Sequence, residues 1–213
     1  MLWISPRKYL GSRVRTRTDP PPGTKRSLVH TAIQLMIAQQ AYEESCVVAL
    51  AREGGLRLRE ACLLDVGNAL TQAKKVGKIR VTRGTKGGYG RFMERWVPVT
   101  PTLLKALIFS SKVQGGRSCL VPATKTLIQF SDSVHHQWDK ARTTLAIGKI
   151  HDLRAAYACD RYAEITGHPA PVLNGGTVVA STSADLQARL IISNELGHRR
   201  VDILAAYIGG RKR

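Results

Sequence analysis

From Leu28 to Leu50 the apolar residues Leu28, Ile33, Leu35, Met36, Ala41, Val47, Val48 and Leu50 recur at helical spacing and form one broad face. That face cannot be left in water, so the rest of the chain must supply a core to cover it. The spacing predicts a long helix that Ser27 can cap and that ends near Gly54-Gly55. A second, short helix is expected over residues 56–64, and further helices over 101–112, 125–142, 151–166, 184–196 and 201–208. Residues 78–82 and 94–99, rich in Ile, Val and Trp, read as two strands. The Gly-rich span 84–90 joins them as a loose, exposed, basic hairpin bordered by Arg83, Arg91 and Arg95. Residues 167–183, dominated by Pro, Gly, Asn, Ser and Thr, read as a long loop. The expected fold class is α+β, mainly helical, with a small antiparallel sheet.

With 213 residues, 43% of them hydrophobic, the chain can bury one sizeable core but not two. That core is assigned to residues 27–213. Residues 1–26 carry Arg7, Lys8, Arg13, Arg15, Arg17, Lys25 and Arg26 against Asp19 alone, and the Pro20-Pro21-Pro22-Gly23 run reads as a stiff linker from a basic arm to the body. The 33 Lys and Arg exceed the 15 Asp and Glu to give a net charge of +18, which points to a polyanion, double-stranded DNA above all. No apolar run approaches the roughly 20 residues of a membrane span, so no membrane partner is expected. Cys46, Cys62, Cys119 and Cys159 are scattered, with no CxxC pair, and His135, His136 and His168 lack carboxylates or thiols at ligand spacing. No metal and no cofactor is expected, and the cysteine usage fits a reducing cytoplasm, there associated with the nucleoid.

Four local patterns carry potential chemistry. Arg57 and Glu60 stand three apart at the start of a predicted helix, so the acid can orient the guanidinium. Lys86 sits at the tip of the glycine hairpin, where small neighbours let a phosphate backbone approach. His151 and Arg154 share a helical face and can touch one oxyanion. Gly197-His198 precedes Tyr207 by nine positions, and Gly197 as a helix-ending residue can bring the last two onto one side. Taken singly, each pattern also fits an ordinary ion pair, turn or packing residue.

In this order and in these contexts, Arg57, Lys86, His151-x-x-Arg154, Gly197-His198 and Tyr207 resemble the catalytic domain of the tyrosine recombinase (phage integrase) family, over about residues 27–208. The resemblance implies that Tyr207 is the nucleophile, Arg57 and Arg154 the phosphate clamp, His198 a further phosphate ligand, Lys86 the leaving-group acid and His151 a proton-transfer residue. Glu60 would support the first arginine, and Arg83, Arg91, Arg95, Arg199 and Arg200 would contact DNA. Guanidinium forks supply permanently charged, bidentate donors where a phosphodiester transition state gathers charge. A phenol of ordinary pKa about 10 needs a nearby base or positive field to attack, and the departing sugar oxygen needs an acid.

The implied activity is site-specific recombination of a mobile element through a phosphotyrosine intermediate, with self-association on DNA. Two alternatives are a type IB topoisomerase, which shares the chemistry, and a DNA-binding remnant that has lost it. The residues before 27 are too few for the N-terminal helical domain usual in the family.

Overall fold

The broad apolar face is presented by two helices, not one. In the computed structural model, which describes residues 16–85, 94–198 and 200–211, α1 (Arg26–Ala38) and α2 (Tyr42–Glu53) are separated at Gln39–Ala41. Gln40 takes a φ of 61°, and the Ala41 N–H donates to the Met36 carbonyl at 2.9 Å. A left-handed non-glycine residue costs roughly 1 kcal/mol, and no Gly or Pro marks the spot, so periodicity alone runs through it. The expected Ser27 cap is not used either, because the helix begins two residues earlier, at Arg26, with Lys25 at the cap position.

Beyond α2, the chain forms α3 (Leu58–Leu63) and then α4 (Val66–Val76), a helix the expected elements omit. Asp65 caps α4 by accepting from the Asn68 N–H at 3.0 Å, and Gly77, at φ 66°, ends it. Its buried face is built from Val66, Ala69 and Ala73, with Leu70 packed beside them, at a helical spacing that the expected elements pass over. Strands β1 (Lys78–Arg80) and β2 (Trp96–Pro98) pair antiparallel with Ile79 opposite Val97, which directs both into the core. They are shorter than the expected strands, though the Val81 N–H still reaches the Arg95 carbonyl at 3.0 Å.

The remaining helices lie close to expectation: α5 (Pro101–Gln114), α6 (Leu127–Thr144), α7 (Ile150–Thr166) and α8 (Thr182–Glu195). The last expected helix opens with a 3-10 turn, Val201–Leu204, leaving α9 (Ala205–Ile208) a single turn. Helix α2 is the centre of the molecule, with α1, α3, α5, α6 and α7 packed round it, and α8 and α9 lie against α7. The architecture is the expected one, mainly helical with a two-stranded antiparallel sheet. Among the described residues no helix is long and apolar enough to cross a membrane.

Two stretches expected to lie outside the core take part in it. In the arm and linker, Gly23 is buried with its Cα hydrogens facing Leu153, and the Arg17 N–H donates to the Ala205 carbonyl at 2.8 Å. In the 167–183 loop, Ala170, Pro171, Val172 and Ala180 are buried, and Pro171–Leu173 forms a 3-10 turn.

Candidate active site

Glycines set the approach of the elements that carry the charged residues. Gly55, at φ 58°, turns the chain from α2 into α3; a Cβ there would lie 2.4 Å from the Tyr157 ring. The turn leaves Arg57 at the mouth of α3 and the Gly55 carbonyl facing α7, where Arg154 Nη1 donates to it. Gly197, at φ 65°, ends α8 and brings His198 back, its N–H donating to the Ser193 carbonyl at 2.8 Å. A Cβ at Gly197 would sit 2.9 Å from Arg95 Cδ, so the glycine also makes room for that arginine. The Leu196 carbonyl accepts from Arg154 Nη2, tying α7 to the end of α8.

At the centre of the cluster is Glu60, fully buried. Its Oε1 pairs with Arg57 Nη1 at 2.6 Å and with Arg95 Nη1 at 2.6 Å, and its Oε2 lies 3.8 Å from Arg154 Nη1. Oε2 also accepts from the Arg57 backbone N–H at 2.7 Å, which caps α3. Burial pushes the carboxyl up, but Arg95, Arg154 and Arg57 outweigh it and hold it down at about 2. Arg154 is 1% exposed; burial, and the charge of Arg95, lower its guanidinium to about 10, which leaves it charged at neutral pH. Arg57, 24% exposed, is the member of the trio most open to solvent.

Tyr207 lies over this base. Its ring centroid is 5.8 Å from Arg154 Cζ, 5.5 Å from the His198 ring and 5.9 Å from the His151 ring. The Tyr207 hydroxyl and His198 Nε2 are hydrogen-bonded at 3.1 Å, and His198 Nε2 is 3.5 Å from Arg154 Nη2. Burial, then Arg154, Arg57 and Arg95, push His198 down to about 3, so the ring is neutral at pH 7. His151 is lowered for the same reasons, burial and then Arg154. With Tyr207 only 6% exposed, the phenol occupies the space between the two histidines and the arginine.

Arg57, Glu60, His151, Arg154, His198 and Tyr207 are thus brought together. Arg95 is placed otherwise than expected: instead of lying on an exposed hairpin as a DNA contact it is 5% exposed, bonded to Glu60 and, through Nε at 2.8 Å, to the Glu195 carbonyl. The short β-ladder turns its side chain inward against the end of α8. Arg83 and Arg200 are exposed; Arg83 Nη1 donates to the Ser118 carbonyl at 3.1 Å, and Arg200 pairs with Asp202. Lys86, Arg91 and Arg199 lie outside the described residues. Gly84, in the described stretch that follows β1, lies against the backbone of Arg59 and Glu60 in α3.

Sequence reading missed a second buried carboxylate. Glu195 accepts from Tyr157 Oη at 2.9 Å and from Arg161 Nε at 3.0 Å and Nη2 at 2.7 Å. Burial and this carboxylate raise the Tyr157 phenol well above 10. Nothing local in the sequence marks Glu195, since its partners are 34 to 100 residues away. Among the described residues no group of His, Cys, Asp or Glu is placed to hold a metal ion.

A family model described as "Integrase" matches residues 16–160, a span that takes in Arg57, Glu60, His151 and Arg154 and stops before His198 and Tyr207. Among solved structures the chain is similar to one titled "Crystal structure of XerA recombinase", with a TM-score of 0.57 at 17% identity, the match covering 95% of this chain and 66% of that one. The likeness is one of fold, and the chain spans just under two thirds of that protein's length. No curated protein matches the chain by sequence.

Proposed function

The chain belongs to the integrase family, and from that premise we propose that it cuts and rejoins double-stranded DNA through Tyr207, in site-specific recombination of a mobile element. The observation that carries the reading is the Tyr207 hydroxyl held 3.1 Å from His198 Nε2 directly above the buried arginine base. In the cleavage step Tyr207 Oη attacks the phosphorus, the Tyr207–phosphorus bond forms and the bond to the 5′ oxygen breaks. The phenol proton passes to His151, whose ring lies 5.9 Å from that of Tyr207, while His198, held at about 3 and so a poor base, serves as a phosphate ligand, and the departing oxygen takes its proton from Lys86. Arg57 and Arg154 offset the charge that collects on the non-bridging oxygens, and Glu60 keeps their forks aimed. Because Tyr207 fills the site, a phosphate enters as the phenol side chain swings aside.

The net charge of +18 supports duplex DNA as the partner, with Arg83, Lys86, Arg91, Arg199 and Arg200 among the phosphate contacts. Self-association on DNA and a cytoplasmic, nucleoid-associated location complete the reading. Incubation with a nicked suicide duplex tests it: the protein is expected to become covalently attached to DNA, and Tyr207→Phe to lose attachment while keeping duplex affinity. Attachment by Tyr207→Phe at the unaltered rate refutes the assignment. Relaxation of supercoiled DNA without strand exchange would identify a type IB topoisomerase instead, and duplex binding without any attachment a non-catalytic remnant.

A further inference from the structure

The turn that carries Tyr207 cannot hold itself. Helix α9 is one turn long, far below the length at which a helix persists without tertiary support, and its carbonyls have no helical partners ahead of them. The first two of those carbonyls, and the two that follow the helix at Gly209 and Gly210, are taken by two arginines from distant parts of the chain. On the entry side, Arg17 donates its backbone N–H to the Ala205 carbonyl at 2.8 Å and its Nε to the Ala206 carbonyl at 3.4 Å. On the exit side, Arg189 of α8 donates Nη1 to the Gly209 carbonyl at 3.1 Å and Nη2 to the Gly210 carbonyl at 3.0 Å.

Both arginines are themselves fixed. Arg189 Nε donates to Asp185 Oδ1 at 2.9 Å, and the fully buried Asp185 also accepts from Tyr162 Oη at 3.0 Å and from Arg211 Nε at 3.0 Å. Arg17 Nη2 donates to Asp152 Oδ1 at 2.8 Å, on the first turn of the helix that carries His151 and Arg154. Gly209, at φ 89°, presses on Val172 of the 167–183 stretch, and Gly210 lies against Thr16, so the two sides meet. Arg189 is 2% exposed and reaches no DNA.

We propose that Arg17 and Arg189 are positioning residues for Tyr207, a two-sided clasp that pins the backbone before and after the phenol so that the side chain alone moves between its resting and attacking positions. The proposal rests on Tyr207 being the nucleophile. It gives the buried Asp185–Arg189 pair and the inward-turned Arg17 a role in the reaction, exerted through the nucleophile's backbone and without contact to substrate.

Hydrogen exchange on the full chain without DNA, followed by single-turnover attachment to saturating nicked duplex, tests the clasp. In Arg189→Met and in Arg17→Pro, which removes the backbone N–H given to Ala205 together with the side chain, the peptide spanning residues 205–210 should exchange at least about tenfold faster, while peptides from α2 keep their rates. Arg189→Met should also form the covalent complex at least about tenfold more slowly with an unchanged DNA dissociation constant, because a misplaced nucleophile loses rate and not affinity. Unchanged exchange in both variants overturns the clasp, and so does faster exchange with an unaltered attachment rate, which would make Arg189 merely structural. If Arg189→Met loosens α2 as well, Arg17→Pro, at a more exposed position, decides. Failure of the unaltered chain to attach to DNA overturns the proposed function, whereas the exchange comparison still decides whether the backbone is clasped.

Discussion

Replacing Glu60 by Gln keeps the shape of the side chain and removes the one negative charge shared by Arg57, Arg95 and Arg154. The folded-state carboxyl sits at about 2, against an ordinary value of 4.5. Because the fold lowers this value, the charge stabilises the folded state above pH 4.5, and the contribution is lost as the pH falls towards 2. The displacement corresponds to roughly 3 kcal/mol at pH 7, within the range for breaking a buried ion pair on one side. In a domain of this size that amounts to a melting point lower by roughly 6–12 °C. Urea unfolding of both proteins at pH 7 and pH 3 supplies the check. The deficit of Glu60→Gln should be about 3 kcal/mol at pH 7 and roughly half that at pH 3, where the carboxyl of the unfolded chain is already protonated while the folded one is still charged. A deficit equal at the two pH values, or smaller than about 1 kcal/mol at pH 7, would mean that the three guanidinia do not depend on this charge.

Gly55→Ala places a Cβ 2.4 Å from the Tyr157 ring at a φ of 58°, and should destabilise the fold by roughly 2–4 kcal/mol in thermal unfolding. Lys86→Ala should cripple cleavage of ordinary DNA, yet a substrate with a 5′-bridging sulfur should be cut almost normally; equal impairment on both would move the acid role elsewhere. Duplex binding should weaken steeply with salt, each neutralised phosphate contributing about 0.9 to the log–log slope. Residues 1–15 carry Arg7, Lys8, Arg13 and Arg15 and no acid, so their removal should flatten that slope by up to about four such steps, and an identical slope would make them bystanders in binding.

Most of the helices and the small antiparallel sheet are legible in the chain because each rests on local information. The residues of the proposed catalytic set stand out only through the order they share with a known family, each pattern alone fitting an ordinary ion pair, turn or packing residue. Apolar spacing marks α1, α2 and α5–α8, Gly197 marks the end of α8, and the three-residue spacings of Arg57 with Glu60 and of His151 with Arg154 put each pair on one face. The reading goes astray at Gln40, which bends the chain without a glycine, and at α4, whose apolar residues Val66, Ala69, Leu70 and Ala73 stand at helical spacing that the expected elements leave out. Which charge meets which is another matter. Glu60 binds Arg95, 35 positions on, and nothing near Arg95 distinguishes it from the exposed arginines around it. Glu195 gathers Tyr157 and Arg161 from α7 and Arg95 from the residue before β2, and Arg17 meets Ala205 across almost the whole chain. Spacing along the chain sets the face of a helix on which a side chain lies, but ion pairs between elements depend on how those faces pack. Burial then turns a surface charge such as Arg95 into a structural one, because a guanidinium withdrawn from water must find its acceptors within the fold.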